Sequence, residues 1–78
     1  MAITYAEDSA VFDGTVNIEE AETLLEWVQQ QPAGSVDLVG CTHLHAANLQ
    51  VLMAAQLRVA AWPRDENLKT WLEAALGT

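Results

Sequence analysis

The segment Ser35 to Cys41 (SVDLVGC) constrains the architecture more than any other stretch of this chain. It is short, rich in β-branched residues and bounded by Gly34 and Gly40, so it reads as a buried strand. Val36, Leu38 and Val39 put apolar side chains on both of its faces, the pattern of an interior strand in a mixed sheet. Such a strand needs neighbours on both sides and helices to cover it, and the flanking sequence supplies candidates for both.

Upstream, Ile3 and Tyr5, then Val11 and Phe12, form two short β-prone runs. Glu7-Asp8-Ser9 between them is turn-like and predicts a hairpin, while Asp13-Gly14 closes or bends the second run. Asn17 with Glu20 three residues on makes a capping-box pattern, and Glu19, Glu20 and Glu22 favour the positive end of a helix dipole. Ile18, Ala21, Leu24, Leu25 and Val28 then share one helical stripe, with Trp27 beside it and half covered. Pro32 and Gly34 stop this helix.

Downstream, Ala46 to Ala55 (AANLQVLMAA) predicts a second helix, with Leu49, Leu52 and Met53 at helical spacing. Leu57 to Trp62 (LRVAAW) reads as another buried strand, ended by Pro63. Asp65 and Glu66 open a last helix on which Leu68, Trp71, Leu72 and Ala75 form the apolar stripe, and Gly77 is its natural stop. The expected fold is therefore one α/β domain spanning the 78 residues, in the order β-β-α-β-α-β-α. That order implies a mixed sheet of about four strands, parallel pairing across the two strand-helix-strand units, and three helices mainly on one face.

Composition narrows function. Eleven acidic side chains face only Arg58, Arg64 and Lys69, giving a net charge of −8. Phosphate backbones and anionic membrane surfaces are repelled by such a chain, so nucleic acid and direct membrane insertion are excluded as expectations. Cys41 is the only cysteine, which forbids an internal disulfide and fits a reducing, cytoplasmic setting. No glycine motif that cradles phosphates occurs, and no cofactor is expected.

The stretch Val36 to Gln50 (VDLVGCTHLHAANLQ) resembles the central motif of the STAS domain family, the sulfate-transporter and anti-sigma-factor-antagonist fold. Val36-Asp37-Leu38 matches that family's strand, Gly40 its small position, Leu44 the apolar residue before the helix, and Leu49 the leucine of the helix opening. Phe12 to Asn17 with Ala21 is similar to its second strand and first helix start, and Trp62-Pro63 with the final helix to its C-terminal end. The resemblance implies a non-catalytic protein-binding module in bacterial signalling. Its partner would be an anti-sigma factor, a kinase or a receptor complex. A small accessory subunit of a phospholipid-transport ATPase is the alternative. The partner-binding surface implied is the strand-to-helix junction, His43, His45, Ala46, Ala47, Asn48 and Gln50.

This chain departs from the family there. His45 stands in place of aspartate, Ala46 and Ala47 in place of the serine pair, and Asn48 in place of glycine. Alanine has no hydroxyl, so the family's serine phosphorylation cannot operate at these positions.

Other readings attach to the same residues. Cys41, His43 and His45 alternate, and in a regular strand all three would point one way, as a three-ligand metal site requires. His45 could also serve as a general base, with Asp13 as a spatial partner. Trp71 is expected in the core, and Trp27 and Trp62 partly exposed, where tryptophan serves binding. The high apolar content of so short a chain predicts a homodimer or an obligate complex.

Overall fold

The computed structural model describes residues 2–55 and 57–76. Four strands form one sheet in the order β1-β2-β3-β4: β1 (Ile3–Tyr5), β2 (Ser9–Val16), β3 (Ser35–Leu44) and β4 (Arg58–Ala61). The β1–β2 pair is an antiparallel hairpin, and β2–β3 and β3–β4 are parallel. Helices α1 (Ala21–Gln30), α2 (Ala46–Ala55) and α3 (Glu66–Leu76) complete the expected order. Packing of α1 on α2 and of α2 on α3 sets the helices in one layer. Thr4, Val11, Asp13 and Thr15 on the opposite sheet face stay exposed. The proposed stop at Gly77 lies outside the described residues.

The core lies between the sheet and that helix layer. Phe12, Val16, Val36, Leu38 and Leu44 meet Leu24, Leu49, Leu52 and Leu72, all buried. Each such side chain contributes about 1.5–3 kcal/mol by leaving water. Asp65 caps α3 as its position suggests, its Oδ1 accepting the Leu68 N–H at 2.9 Å.

Strand β4, expected to be buried, is an edge strand whose residues are exposed or half-buried, and three further features of the sequence pattern give way to the structure. The first is the entry to α1. Residues Ile18–Glu20 form a 3₁₀ turn, and the Asn17 side chain makes no cap. The tighter turn replaces the α geometry that a capping box needs, and the Asn17 carbonyl is instead engaged by the Glu20 N–H at 3.1 Å.

The second is the stripe of α1, which runs through Leu24, Trp27 and Val28 and leaves Ile18 and Leu25 exposed. Trp27, expected half covered, is only 9% exposed because its ring packs on Tyr5 and its indole N–H donates to the Ala6 carbonyl.

The third is Trp71, expected in the core and 44% exposed. Helix α3 packs mainly on α2 and buries only Leu68 and Leu72, too narrow a stripe to include it. Trp62 is half-buried, as expected.

Strand β3 is interior, as its two-faced apolarity requires, but it is longer than the sequence suggests and irregular. Against β2 the Cα partners run Val11↔Asp37 and then Asp13↔Gly40, then Gly14↔Cys41 and Thr15↔His43. Each step leaves one surplus residue on β3, which is the definition of a bulge. The buried positions of β3 are therefore Val36, Leu38, Cys41 and Leu44, and no longer every second residue. Gly14 sits at the second shift with φ +68°, a conformation that glycine adopts without strain. A Cβ at Gly40 would come within 2.7 Å of an Asp13 carboxylate oxygen, the exposed end of a side chain that can turn aside.

Candidate functional site

The junction from β3 to α2 is built by the second of those bulges. Cys41 faces the core and is 1% exposed. Thr42 is the surplus residue, and its insertion turns His43 outward beside Thr15 and sends Leu44 inward beside Val16. Cys41 and His43 consequently lie on opposite faces of the sheet, which removes the convergence that the C-T-H-L-H spacing suggested. Among the described residues, no group of three His, Cys, Asp or Glu side chains could hold a metal ion. The Cys41 thiol donates to the His43 carbonyl at 3.5 Å, and burial pushes its pKa above the ordinary cysteine value.

His45 is the N-cap of α2. Its backbone N–H donates to the Val16 carbonyl at 2.9 Å, fixing the junction to the end of β2. Its Nδ1 accepts the Ala47 N–H at 3.0 Å, which requires that nitrogen to be unprotonated. Its carbonyl takes the Asn48 and Leu49 N–H groups. A histidine here does the work that aspartate or serine usually does at a helix start. Nδ1 of His45 is thus committed to the helix, and the Asp13 carboxylate lies over Gly40.

Asn48 is inside the protein, with no exposed surface, so it cannot meet a partner as the sequence reading had it. Its Nδ2 donates to the Asn17 carbonyl at 2.8 Å, tying α2 to the entrance of the first helix. Its Oδ1 is buried without a hydrogen-bond partner among the described residues. Of the remaining junction residues, His43, Ala46 and Gln50 are exposed, and His45 and Ala47 half-buried.

No family model, curated protein or solved structure matches this chain.

The most unusual surface is the outer side of α2. The helix carries no charged residue in AANLQVLMAA, yet Ala46, Gln50, Met53 and Ala54 are open to solvent. On α1 and α3 the exposed positions include Glu22, Glu26, Glu66 and Lys69. An uncharged strip thus runs from the junction along α2, between two charged helices. It continues past Met53 into a groove of about 440 Å³ lined by Leu52, Leu57, Val59, Trp62 and Leu76, with Arg58 beside them. The sequence places Ala46 and Gln50 on the partner-binding surface but not Met53 and Ala54, because Met53 shares its helical spacing with Leu49 and Leu52 and reads as core, whereas it is exposed. The absence of charge from ten consecutive residues was the signal. No helix among the described residues is long and apolar enough to cross a membrane.

Proposed function

We propose that this chain is a non-catalytic protein-interaction module of the STAS type, serving bacterial signalling in the cytoplasm. It would dock on a protein partner through the β3–α2 junction and the outer side of α2. The observation that carries this reading is the uncharged, solvent-open strip Ala46, Gln50, Met53 and Ala54 on a chain of net charge −8. Exposed helix positions ordinarily carry polar or charged side chains, and a face stripped of charge is depleted in the way interface centres are. The element order matches that of the family the junction resembles, and Ala46 and Ala47 leave no hydroxyl there to phosphorylate. The two alanines also keep the helix entrance low, so a partner can approach the backbone closely.

The test is site-specific crosslinking in the native host from a photoreactive residue at the exposed position 50. A discrete protein adduct is expected, and Ala46→Glu should reduce it about tenfold or more, the cost of burying one unpaired charge. The same substitution should leave the thermal melt unchanged or slightly raised, because a carboxylate in the first turn suits the helix dipole. Absence of an adduct, or one indifferent to Ala46→Glu, would refute the assignment of this surface.

A further inference from the structure

On the other flank of the molecule, Tyr5 from β1 and Trp27 from α1 pack with ring centroids 5.7 Å apart and planes tilted by 42°. They line a notch of about 300 Å³ whose remaining walls are Thr23, Glu26 and Gln30, three successive positions on one side of α1. The aromatic wall is held in place. The Trp27 indole donates to the Ala6 carbonyl at 3.3 Å, and its ring lies so close to Gly34 that a Cβ there would sit 2.8 Å from Cη2. A notch that is already formed does not have to be organised when something enters it.

The notch is acidic: Glu26 stands in its wall, the Glu20 carboxylate acts on Tyr5, and no lysine or arginine is among the described residues that line it. Aromatic rings attract cations through their quadrupole, and a carboxylate at the same mouth adds to that attraction.

We infer that the Tyr5–Trp27 notch receives an arginine side chain of a basic partner protein. The polar groups of the wall choose arginine over other cations. The Glu26 carboxylate, the Gln30 side-chain carbonyl and the Thr23 hydroxyl can all accept hydrogen bonds, and a guanidinium offers five donors in a planar fork that also stacks on aromatic rings. A quaternary ammonium would fit the rings but leave those acceptors unanswered. The notch shares no residue with the outer side of α2.

The experiment is titration of the full chain with N-acetyl-arginine methylamide, followed through the indole N–H resonance of Trp27. The uncharged isostere N-acetyl-citrulline methylamide is titrated in parallel. Arginine should move that resonance saturably, with a Kd on the order of 10 mM, as one cation–aromatic contact and one exposed ion pair support. Citrulline should bind at least about fivefold more weakly. Glu26→Gln should weaken arginine roughly threefold, whereas Glu66→Gln, an equal change of net charge on α3, should leave it unaltered. Equal binding of citrulline, equal effects of the two substitutions or no saturable shift would overturn the proposal. A tighter response to tetramethylammonium than to arginine would overturn the choice of guanidinium.

Discussion

His45→Ala isolates the contribution of an imidazole cap to a small fold. The wild-type bond is single, from the Ala47 N–H to Nδ1 at 3.0 Å, and the Asn48 and Leu49 N–H groups are already held by the His45 carbonyl. Alanine keeps that carbonyl and the link from the His45 N–H to Val16, so only one donor loses its partner. Removing an N-cap costs about 0.5–2 kcal/mol. The half-buried junction and exposed Ala46 let water reach the freed Ala47 N–H, which places the loss in the lower part of that range, about 0.5–1 kcal/mol. For a domain of this size such a loss lowers Tm by about 2–8 °C. His45→Asp should restore the acceptor and add a carboxylate where the helix dipole favours it, recovering the loss or exceeding it by about 0.3–1 kcal/mol. Urea unfolding followed by circular dichroism at pH 7 reads both variants against the parent. If His45→Ala matches the parent, or His45→Asp is less stable than His45→Ala, the cap does not hold the junction.

Asn48→Ala removes the buried 2.8 Å bond to Asn17 and should cost about 1–3 kcal/mol in the same unfolding assay, whereas Gln50→Ala on the exposed side should stay within about 0.5 kcal/mol. Burial, with the Glu20 carboxylate adding to it, pushes the Tyr5 pKa up to about 12 from 10.0. The folded state therefore holds this proton more tightly than the unfolded chain does, and the stability it contributes is present below pH 10 and lost as pH rises toward 12. Tyr5→Phe, which also deletes a buried hydroxyl without a partner among the described residues, should flatten the stability profile across that window; an unchanged slope would contradict the assignment. Cys41 is buried and its thiol holds its proton, so its labelling by a disulfide reagent should be slow in buffer and accelerate with urea in step with unfolding.

Much of the fold was legible because it rests on residue types with strong local preferences. The interior strand was visible in Val36, Leu38 and Val39, the hairpin in Glu7-Asp8-Ser9, and the start of α3 in Asp65. What could not be read was rotation. Whether Leu25 or Trp27 enters the core depends on a step of about 100° around α1. The 3₁₀ turn at Ile18–Glu20 changes that step, and nothing in Ile-Glu-Glu announces it. Trp71 was misplaced for a different reason. Its position on α3 favours burial, but the width of the buried stripe depends on what lies opposite, and β4 beneath this edge is only four residues long.

The same limit governs the candidate site. In a regular strand Cys41 and His43 share a face, and a metal trio with His45 follows from period two alone. One surplus residue at Thr42 resets that period, because a shift of one residue exchanges the two faces of a strand. The bulge thereby separates three chemically suggestive side chains into unlike roles: a core thiol, a solvent-facing imidazole and a helix cap. It also aims the chain so that α2 starts at the end of β2, where His45 and Asn48 fasten it to Val16 and Asn17. With that end fixed by two polar residues, one buried and one half-buried, the outer side of α2 is free of any structural duty. A side with no such duty would be expected to drift toward charge on a chain this acidic. That Ala46, Gln50, Met53 and Ala54 carry no charge on a chain of net charge −8 is the observation on which the proposed docking surface rests.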